Sequence, residues 1–580
     1  MYKSIPLSIK AYVTDRVNIE KLRSIFRIFA LLLGGLHAYA AMQSQSMNAD
    51  GISYLDIGDA YFRGDWANAI NAVWSPLYSW ILGFVNFVLD PPMQWQFPVV
   101  HGVNFLLYVA ALACFEFMWR NVRASTPDGK GKGSIQIPDW LWWTLGYLLF
   151  IWTSLSLIQI WAVTPDMLMA ALLLLAAGML ARIRAGDEDW RLFLGLGLVL
   201  GLGYLSKTFM FSIALVFLGL AWLVQKRSKT AVLRASFALG MFVLISLPFI
   251  LLISNKTGRL TIGEAGTVTY VRYVNGIPFP HWQGDPSSGV VPAHPSRIIH
   301  ELPTVYEFGD PVGGTYPISM DPSYWYEGIE PRFDLESLLS RLFASGLAYA
   351  ELFLQQQGIL VASVLALYWM GLRQNYSPVE ILRRWVLILP AVIAFGLYGT
   401  VLVQGRYVGV FVLLFWADIL ANVRLADTAD NRLWLKSLGV IAAIGLLANI
   451  VLFNLDGFTR LTPSFQAGSI QQNIPAARPL AVAETLKELG VQPGDKVGVI
   501  GYAYDSFWAR LARVKIVAEL LEADAVDLWR GHESLRQGVL DSFASAGVKA
   551  VIAEYVPDDV RLKNWHRVGN STTYIYVFGD

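Results

Sequence analysis

Apolar runs of roughly 20 residues recur along the first 455 positions of the chain, and polar segments separate them. A helix needs about 20 apolar residues to cross a bilayer, so each run is a candidate membrane-spanning helix. The pattern predicts an α-helical polytopic membrane protein with about eleven transmembrane helices, near 24–43, 97–119, 138–159, 163–182, 191–206, 208–225, 232–253, 346–371, 385–403, 407–423 and 437–455.

The polar segments between these spans alternate in charge, and every basic cluster falls on one side. Positive charge marks the cytoplasmic side of a membrane protein. We therefore predict an integral plasma (inner) membrane protein with a cytoplasmic N-terminus and an extracytoplasmic, or periplasmic, C-terminal domain. The residues that carry this prediction are Lys3, Lys10, Arg16, Lys21, Arg23, Arg120, Arg123, Lys130, Lys132, Arg182, Arg184, Lys226, Arg227, Lys229, Arg234, Arg373, Arg383, Arg384, Arg424, Arg432 and Lys436.

The long polar segments all fall on the other, outer side. They cover 44–96, 254–345 and everything after 456. The segment 254–345 is rich in Pro, Gly and aromatic residues, which is typical of a folded functional loop rather than of disorder. We predict that it caps the outer mouth of a membrane domain that covers residues 1–456, with both outer loops included.

Residues 457–580 change to short apolar strands and amphipathic helices. Strands are predicted at 496–501, 514–518, 548–553 and 573–578, and helices at 505–513 and 533–546. This pattern indicates a small α/β domain. Because the glycine pattern of dinucleotide-binding loops is absent after the first strand, a docking or capping role is favoured over cofactor binding.

The composition excludes several classes of protein. Of 580 residues, 55% are hydrophobic and only 15% are charged, which excludes an ordinary soluble enzyme. The formal net charge of +1 gives no electrostatic reason to expect nucleic acid as a partner. A single cysteine, Cys114, excludes an intrachain disulfide framework and a cysteine-based zinc cluster.

Acidic residues beside the spans are the informative candidates for chemistry, because burying a carboxylate at membrane depth is costly. Asp50 directly follows the first span, and Asp166 lies in the tight outer turn between the third and fourth spans. Taken alone, Asp166 is better explained as a helix-start acid near the positive end of the helix dipole, and its position on the same side as Asp50 is what makes it a candidate for chemistry. Asp56 and Asp59 lie one turn apart in a predicted outer helix, and we expect at least one of them to be solvated.

The histidines give weaker signals. His101 opens the second span and could donate to a sugar or phosphate, or could be a packed interfacial residue. In the large outer loop, the spacing of His281, His294, His300 and Glu301 is too irregular for a metal site, so no metal is predicted.

Five motifs occur in a fixed order and on the same side of the membrane. They are Asp50 with Tyr54, Trp74–Tyr78 at the start of an interfacial helix over 76–89, Pro165-Asp166, Gly203–Lys207 and Gly405-Arg406-Tyr407. Over most of 24–425 the chain thereby resembles the GT-C-type membrane glycosyltransferases, in particular the dolichyl-phosphate-mannose-protein mannosyltransferase-like group that includes the lipid A aminoarabinose transferases. The family often has a second acidic residue after the first, whereas Gly51 follows Asp50 here.

The resemblance implies an enzyme that transfers a hexosyl or pentosyl group from a polyprenyl-phosphate donor to a lipid, glycan or protein acceptor at the outer face. It implies catalytic roles for Asp50, as general base, and for Asp166, which would orient the acceptor or assist Asp50. Lys207 and Arg406 would bind the donor phosphate, although a snorkelling lysine and an interfacial arginine are the alternatives. The substrate-binding set is predicted to be Tyr54, His101, Lys207, Arg406 and Tyr407.

No cofactor is predicted, although a divalent cation between Asp50 and the donor phosphate is left open. The expected partners are the donor, the acceptor and membrane lipids. The alternatives to an active transferase are a lipid-linked sugar transporter or flippase and a catalytically inactive assembly subunit. Matching inverted halves, which are typical of transporters, are not found in the sequence. The sequence identifies neither the sugar nor the acceptor.

Overall fold

The structure is a computed structural model that describes residues 7–44, 47–125, 134–225, 228–287, 289–372, 386–461, 478–560 and 562–579. The segment 462–477, between the last long helix and the C-terminal domain, lies outside this part of the chain. So do some of the basic residues on which the predicted orientation depends, namely Lys3, Lys130, Lys132, Lys226, Arg227, Arg373, Arg383 and Arg384.

Long apolar helices form most of the molecule, which confirms the predicted polytopic α-helical membrane fold. Two of them continue into a π-helical turn, at Thr153–Ile158 and Glu351–Gln355. The helices are Leu7–Ser44, Gln96–Ser125, Asp139–Trp152, Asp166–Arg184, Trp190–Ser206, Met210–Leu223, Lys229–Thr257, Leu335–Ala350, Gly358–Leu372, Ile388–Gly399, Gly405–Ala421 and Ala429–Leu461.

Seven helices in the described part of the chain are long and apolar enough to cross a membrane by length and composition. The other predicted spans correspond to shorter helices. The span predicted at 346–371 falls on two consecutive helices, which end and begin around Gln356 and Gln357. The Gln357 side chain is 1% exposed, accepts a hydrogen bond from Trp416 and donates one to the carbonyl of Leu352. It therefore satisfies a backbone group that the break in the helix leaves open.

Several short helices gather at one end of the long ones, which we call the cap side. The first of them, the Asp50 helix, is Asp50–Arg63. It packs closely on Pro76–Leu89, the helix predicted at the membrane interface, because Gly58 and Gly83 meet backbone to backbone where a Cβ would lie within 2.7 Å of the partner. The remaining short helices are Trp66–Ala69, Met93–Trp95, Ala265–Tyr273, Pro317–Met320 and Pro322–Trp325.

A seven-stranded sheet on the cap side has the strand order β2-β3-β6-β5-β7-β9-β8. Its three central strands β6, β5 and β7 are parallel, and β3 pairs antiparallel with β6. A separate two-stranded sheet, β1 with β4, lies at the opposite end of the long helices. The strands are β1 Ser134–Ile135, β2 Arg297–His300, β3 Val305–Glu307, β4 Leu425–Ala426, β5 Lys496–Gly501, β6 Lys515–Leu521, β7 Ala550–Ala553, β8 His566–Arg567 and β9 Tyr574–Val577.

The C-terminal α/β domain is present as predicted, and it is larger than the sequence pattern indicated. The four predicted strands are β5, β6, β7 and β9. The domain's helices are Pro479–Glu488, Ala503–Asp505, Phe507–Ala512, Glu522–Arg530 and Glu533–Ser545. Strands β2 and β3 come from the loop 254–345, so this loop and the C-terminal domain share one sheet. The domain boundary at residue 456 stays a prediction.

A loop follows β5, the central strand of this sheet, at the carboxyl end of the strand. The chain leaves β5, crosses over to β6 on one side and then returns to β7 on the other side. In open α/β sheets, such a reversal of strand order opens a crevice at the carboxyl ends of the strands, where ligands commonly bind. Here that position is occupied by the loop Tyr502–Asp505, which reaches the Asp50 helix.

Candidate active site

Asp50 lies at the start of the Asp50 helix and contacts residues from two distant parts of the chain. Arg406, from the helix Gly405–Ala421, donates from Nη1 to Asp50 Oδ2 at 2.8 Å. The Tyr504 hydroxyl, from the loop after β5, donates to Asp50 Oδ1 at 2.9 Å. The Asp50 side chain is 17% exposed and the Arg406 side chain is 22% exposed. Asp50 therefore stays accessible while both of its oxygens are hydrogen-bonded.

The chain before Asp50 packs closely against the turn that leads to Asp166. The Asn48 side chain accepts a hydrogen bond of 2.7 Å from the backbone N–H of Val163. A Cβ on Gly51 would lie 2.4 Å from Met47 Sδ and 2.9 Å from Val163 Cβ. A side chain at position 51 would force the two segments apart. This contact gives a physical reason for glycine directly after Asp50.

Asp166 is the first residue of the helix Asp166–Arg184, and it forms the second ion pair of the site. Its Oδ1 lies 2.5 Å from the Nζ of Lys207, which follows the helix Trp190–Ser206. The Asp166 side chain is 1% exposed and the Lys207 side chain is 20% exposed. Asp166 thus lies beneath the surface of the site, whereas the lysine reaches it.

Tyr407 connects the two ion pairs. The Lys207 ammonium lies 3.8 Å from the centre of the Tyr407 ring, within the range of a cation–π interaction. Arg406 donates from Nη2 to the Tyr407 hydroxyl at 3.2 Å and from Nε to Gln404 at 3.0 Å. The structure thus brings Asp50, Asp166, Lys207, Arg406 and Tyr407 together in one cluster, and their catalytic and substrate-binding roles stay predictions. Two carboxylates and two cations make the formal charge of this cluster zero.

Tyr54 and His101 lie deeper. Tyr54 is one helical turn after Asp50, is 6% exposed and packs edge-on against Trp74 and Tyr78, with ring centroids 5.2 Å apart in both pairs. Burial is the main reason that the pKa of Tyr54 lies well above its usual value, so its hydroxyl stays protonated. His101 is 0% exposed. A substrate would reach His101 only after the surrounding helices moved.

Two contacts to the Asp50 helix come from the C-terminal domain, and the sequence did not predict either of them. The first is Tyr504 on Asp50. The second is Arg510, whose Nη1 lies 2.8 Å from Asp56 Oδ1 and 2.7 Å from Asp59 Oδ2. One feature of the sequence could have pointed to Tyr504: it lies in the loop after the first strand of the domain, and α/β proteins commonly bind ligands at the carboxyl ends of such strands. Both aspartates pair with Arg510, and their side chains are only 5% and 19% exposed, so neither is the solvated residue that the sequence led us to expect.

One histidine of the large loop, His281, also contacts the C-terminal domain. His281 is 8% exposed, lies 2.8 Å from Glu519 Oε2 through Nε2 and 2.8 Å from Ser296 Oγ through Nδ1. The Tyr316 hydroxyl donates to the same Glu519 oxygen at 2.9 Å. Among the described residues, no group of three or more His, Cys, Asp or Glu side chains could hold a metal ion. The expectation that no metal is needed, with a divalent cation left open, stays a prediction.

This architecture matches solved membrane enzymes. ArnT from Cupriavidus metallidurans bound to undecaprenyl phosphate aligns with a TM-score of 0.50 and 11% identity, over 94% of this chain and 97% of that chain. The chain has the GT-C fold. For apo ArnT from the same organism, the GT-C alignment has a TM-score of 0.47 at 11% identity, over 94% of this chain and 97% of that one.

The GT-C fold also includes the oligosaccharyltransferase of Archaeoglobus fulgidus in complex with Zn and sulfate. That structure aligns with a TM-score of 0.41 and 12% identity, over 91% of this chain and 68% of that chain. At the level of sequence, no protein-family model and no curated protein matches this chain. The alignment with ArnT confirms the GT-C fold predicted from the five motifs, and the chain is an integral membrane protein.

Proposed function

We propose that this protein is a glycosyltransferase that moves a sugar from a polyprenyl-phosphate donor to an acceptor at the extracytoplasmic face of the membrane. The observation that carries the proposal is the pair of ion pairs around Tyr407. The two pairs combine two carboxylates, two cations and an aromatic ring at the cap side of a GT-C fold. A solved protein of the same fold, ArnT, binds undecaprenyl phosphate. In this proposal the cap side faces outwards.

Asp50 acts as the general base. The acceptor hydroxyl gives its proton to Asp50 as its oxygen forms a bond to the anomeric carbon of the donor sugar. At the same time the bond from that carbon to the phosphate oxygen breaks, and the polyprenyl phosphate leaves with the electron pair. A single displacement of this kind inverts the anomeric centre and needs no carboxylate nucleophile. The partial exposure of Asp50 supports this role, because an acceptor can approach it.

Lys207 and Arg406 bind the phosphate of the donor. Charge-assisted hydrogen bonds to phosphate are among the strongest polar contacts in proteins, and they stabilise the negative charge that grows on the leaving group. Both side chains are about one-fifth exposed, at 20% and 22%. Because each cation already pairs with a carboxylate, the cluster itself carries no uncompensated positive charge.

Asp166 orients Lys207 rather than the acceptor in this proposal, because its carboxylate is almost fully buried behind the lysine. Tyr407 keeps the two cations side by side. Tyr54 and His101 support the wall of the site from within. The loop 254–345 and the C-terminal domain cover the site and exclude water, which would otherwise compete with the acceptor and hydrolyse the donor.

Turnover of a radiolabelled polyprenyl-phosphate sugar by the purified protein tests the proposal. Wild type should release or transfer sugar, and Asp50→Asn should lose this activity by about 10²–10⁴-fold, the range typical of a general base. Asp90→Asn is the matched control, since Asp90 is a cap-side carboxylate that is 88% exposed and has a left-handed backbone that asparagine tolerates. If neither wild type nor Asp50→Asn turns over any donor while both bind it, a carrier or an inactive assembly subunit replaces the transferase.

A further inference from the structure

Both oxygens of the Asp50 carboxylate accept a hydrogen bond, although the side chain is open to solvent. Arg406 donates to Oδ2 at 2.8 Å, and the Tyr504 hydroxyl donates to Oδ1 at 2.9 Å. The Asp50 side chain is 17% exposed. An opening that admits an acceptor also admits water, and a water molecule can give a proton to the same base. The cover that the large loop and the C-terminal domain provide does not by itself distinguish the two.

The Tyr504 hydroxyl competes with water for this carboxylate. Burial and, next, the nearby Asp50 carboxylate hold the pKa of Tyr504 well above its usual value, so the hydroxyl keeps its proton and donates it. Hydrogen bonds to a carboxylate are charge-assisted and therefore strong. A donor on one lone pair also weakens a carboxylate as a base through its other lone pairs. A large acceptor can displace the hydroxyl with the help of its other contacts to the protein, whereas a water molecule has almost none.

The C-terminal domain and the large loop together hold Tyr504 in this position. The backbone N–H of Ala503 donates to Glu519 Oε1 at 3.0 Å, and Glu519 is 0% exposed. The other oxygen of Glu519 accepts from the hydroxyl of Tyr316, a residue of the large loop, at 2.9 Å. The ring of Phe279, also from the large loop, packs edge-on against Tyr504, with centroids 5.6 Å apart. The backbone beside Tyr504 is therefore fixed, and release of the base needs movement of one side chain only.

We propose that Tyr504 makes this protein select an acceptor over water, because its hydroxyl occupies the general base until a bound acceptor displaces it. This inference rests on the proposed function and adds a specificity-determining residue to it. Without the hydroxyl, water takes its place on Asp50. The water oxygen bonds to the anomeric carbon and Asp50 takes the proton, while the bond from that carbon to the phosphate oxygen breaks and its electron pair leaves with the phosphate. The products are free sugar and polyprenyl phosphate.

Hydrolysis of a radiolabelled polyprenyl-phosphate sugar without added acceptor tests the inference. The full-length protein in lipid nanodiscs is incubated with the donor, and free sugar is separated by chromatography from sugar that has been transferred. Tyr504→Phe should release free sugar at least about tenfold faster than wild type, the factor expected for loss of a hydrogen bond to a charged group. Tyr504→Leu also lacks the hydroxyl and should show the same gain if the phenylalanine variant fails to fold.

Two controls test whether the gain comes from the hydroxyl on Asp50. Tyr502→Phe removes a hydroxyl from the same loop, at a residue that is 39% exposed and whose ring centroid lies 6.0 Å from that of Tyr504. It should hydrolyse the donor at the rate of wild type. The double variant Tyr504→Phe/Asp50→Asn should lose the gain, because water then has no base. Thermal melting confirms that the compared samples are folded.

The inference is overturned if the Tyr504 variants hydrolyse the donor no faster than wild type, if Tyr502→Phe shows an equal gain, or if the gain persists in the double variant. Slower hydrolysis by Tyr504→Phe would give Tyr504 the opposite role, that of passing a proton to Asp50. Absence of release and transfer in wild type and in the Tyr504 variants contradicts the proposed function. Turnover by wild type without a gain in the Tyr504 variants contradicts the inference alone.

Discussion

Arg510 of the C-terminal domain forms an ion pair with Asp56 of the Asp50 helix, at 2.8 Å between Nη1 and Oδ1. The two side chains are 6% and 5% exposed, and Thr315 of the large loop donates to Asp56 through its backbone N–H and its hydroxyl. Three separate parts of the chain therefore meet at one buried carboxylate. This contact fixes the domain that carries Tyr504 against the helix that carries Asp50.

Replacing Arg510 by methionine should strongly destabilise the protein. Burial raises the pKa of Asp56 and Arg510 opposes this shift, so without Arg510 the carboxyl group is left unpaired or must take up a proton. Removing one partner of a buried ion pair typically lowers the free energy of unfolding by about 3–5 kcal/mol. Thermal melting and limited proteolysis in nanodiscs measure the loss. Arg513→Met is the control, because Arg513 lies 3.8 Å from a carboxylate and is 50% exposed, and it should melt within experimental error of wild type.

Variants of Lys207 and Asp166 can separate an effect on protein stability from an effect on donor turnover. Lys207→Met leaves the buried Asp166 carboxylate without its cation and should cost about 3–5 kcal/mol in free energy of unfolding. The double variant Lys207→Met/Asp166→Asn removes both charges and should recover most of that stability. If Lys207 binds the donor phosphate, the double variant should remain at least tenfold less active than wild type, because charge-assisted contacts contribute more than about 1.4 kcal/mol.

Melting temperature and donor turnover are measured on all three variants, with Asp166→Asn as the third. Recovery of both stability and activity in the double variant would contradict the phosphate-binding role of Lys207. The Lys207–Asp166 ion pair would then have a structural role only.

The sequence predicted the membrane helices and four charged residues of the site because these signals are local. Asp50, Asp166, Lys207 and Arg406 each lie beside an apolar run, and the alternation of the spans then assigns them all to one side. Tyr504 and Arg510 have no such signal, since each is paired with an aspartate 454 positions away. Strands β2 and β3 were missed for another reason: with four and three residues, they are too short for alternation to be detected.

Gly51 should tolerate no side chain. Gly51→Ala places a methyl group 2.4 Å from Met47 Sδ and 2.9 Å from Val163 Cβ, which is closer than atoms pack. Overpacking of this kind typically costs about 1–3 kcal/mol, and here it also moves Asp50 relative to Arg406. We expect a lower melting temperature and slower donor turnover.

Gly240→Ala is the matched control, because a Cβ there meets nothing within 4 Å, and it should melt at or slightly above wild type. Equal behaviour of the two variants would mean that the 47–51 segment does not pack on Val163.

Glu554, which directly follows β7, should make the stability of the C-terminal domain depend on pH. Burial, together with the nearby carboxylates of Asp505 and Glu519, raises the pKa of Glu554 to about 7, although Trp508 donates to it at 3.1 Å. The unfolded chain releases this proton near its ordinary pKa of about 4.3. Between these two values the folded state holds a proton that the unfolded state has lost, so stability falls as pH rises and the full penalty applies above pH 7.

Glu554→Gln removes that penalty and keeps an oxygen that accepts from Trp508. The variant should therefore melt higher than wild type at pH 8 and at the same temperature as wild type near pH 4.5, where both proteins carry a neutral side chain. Glu533→Gln, at a position whose side chain is 73% exposed, should give no such gain at either pH. A Glu554→Gln advantage of equal size at both pH values would mean that better packing of the amide, and not relief of a buried charge, stabilises the domain.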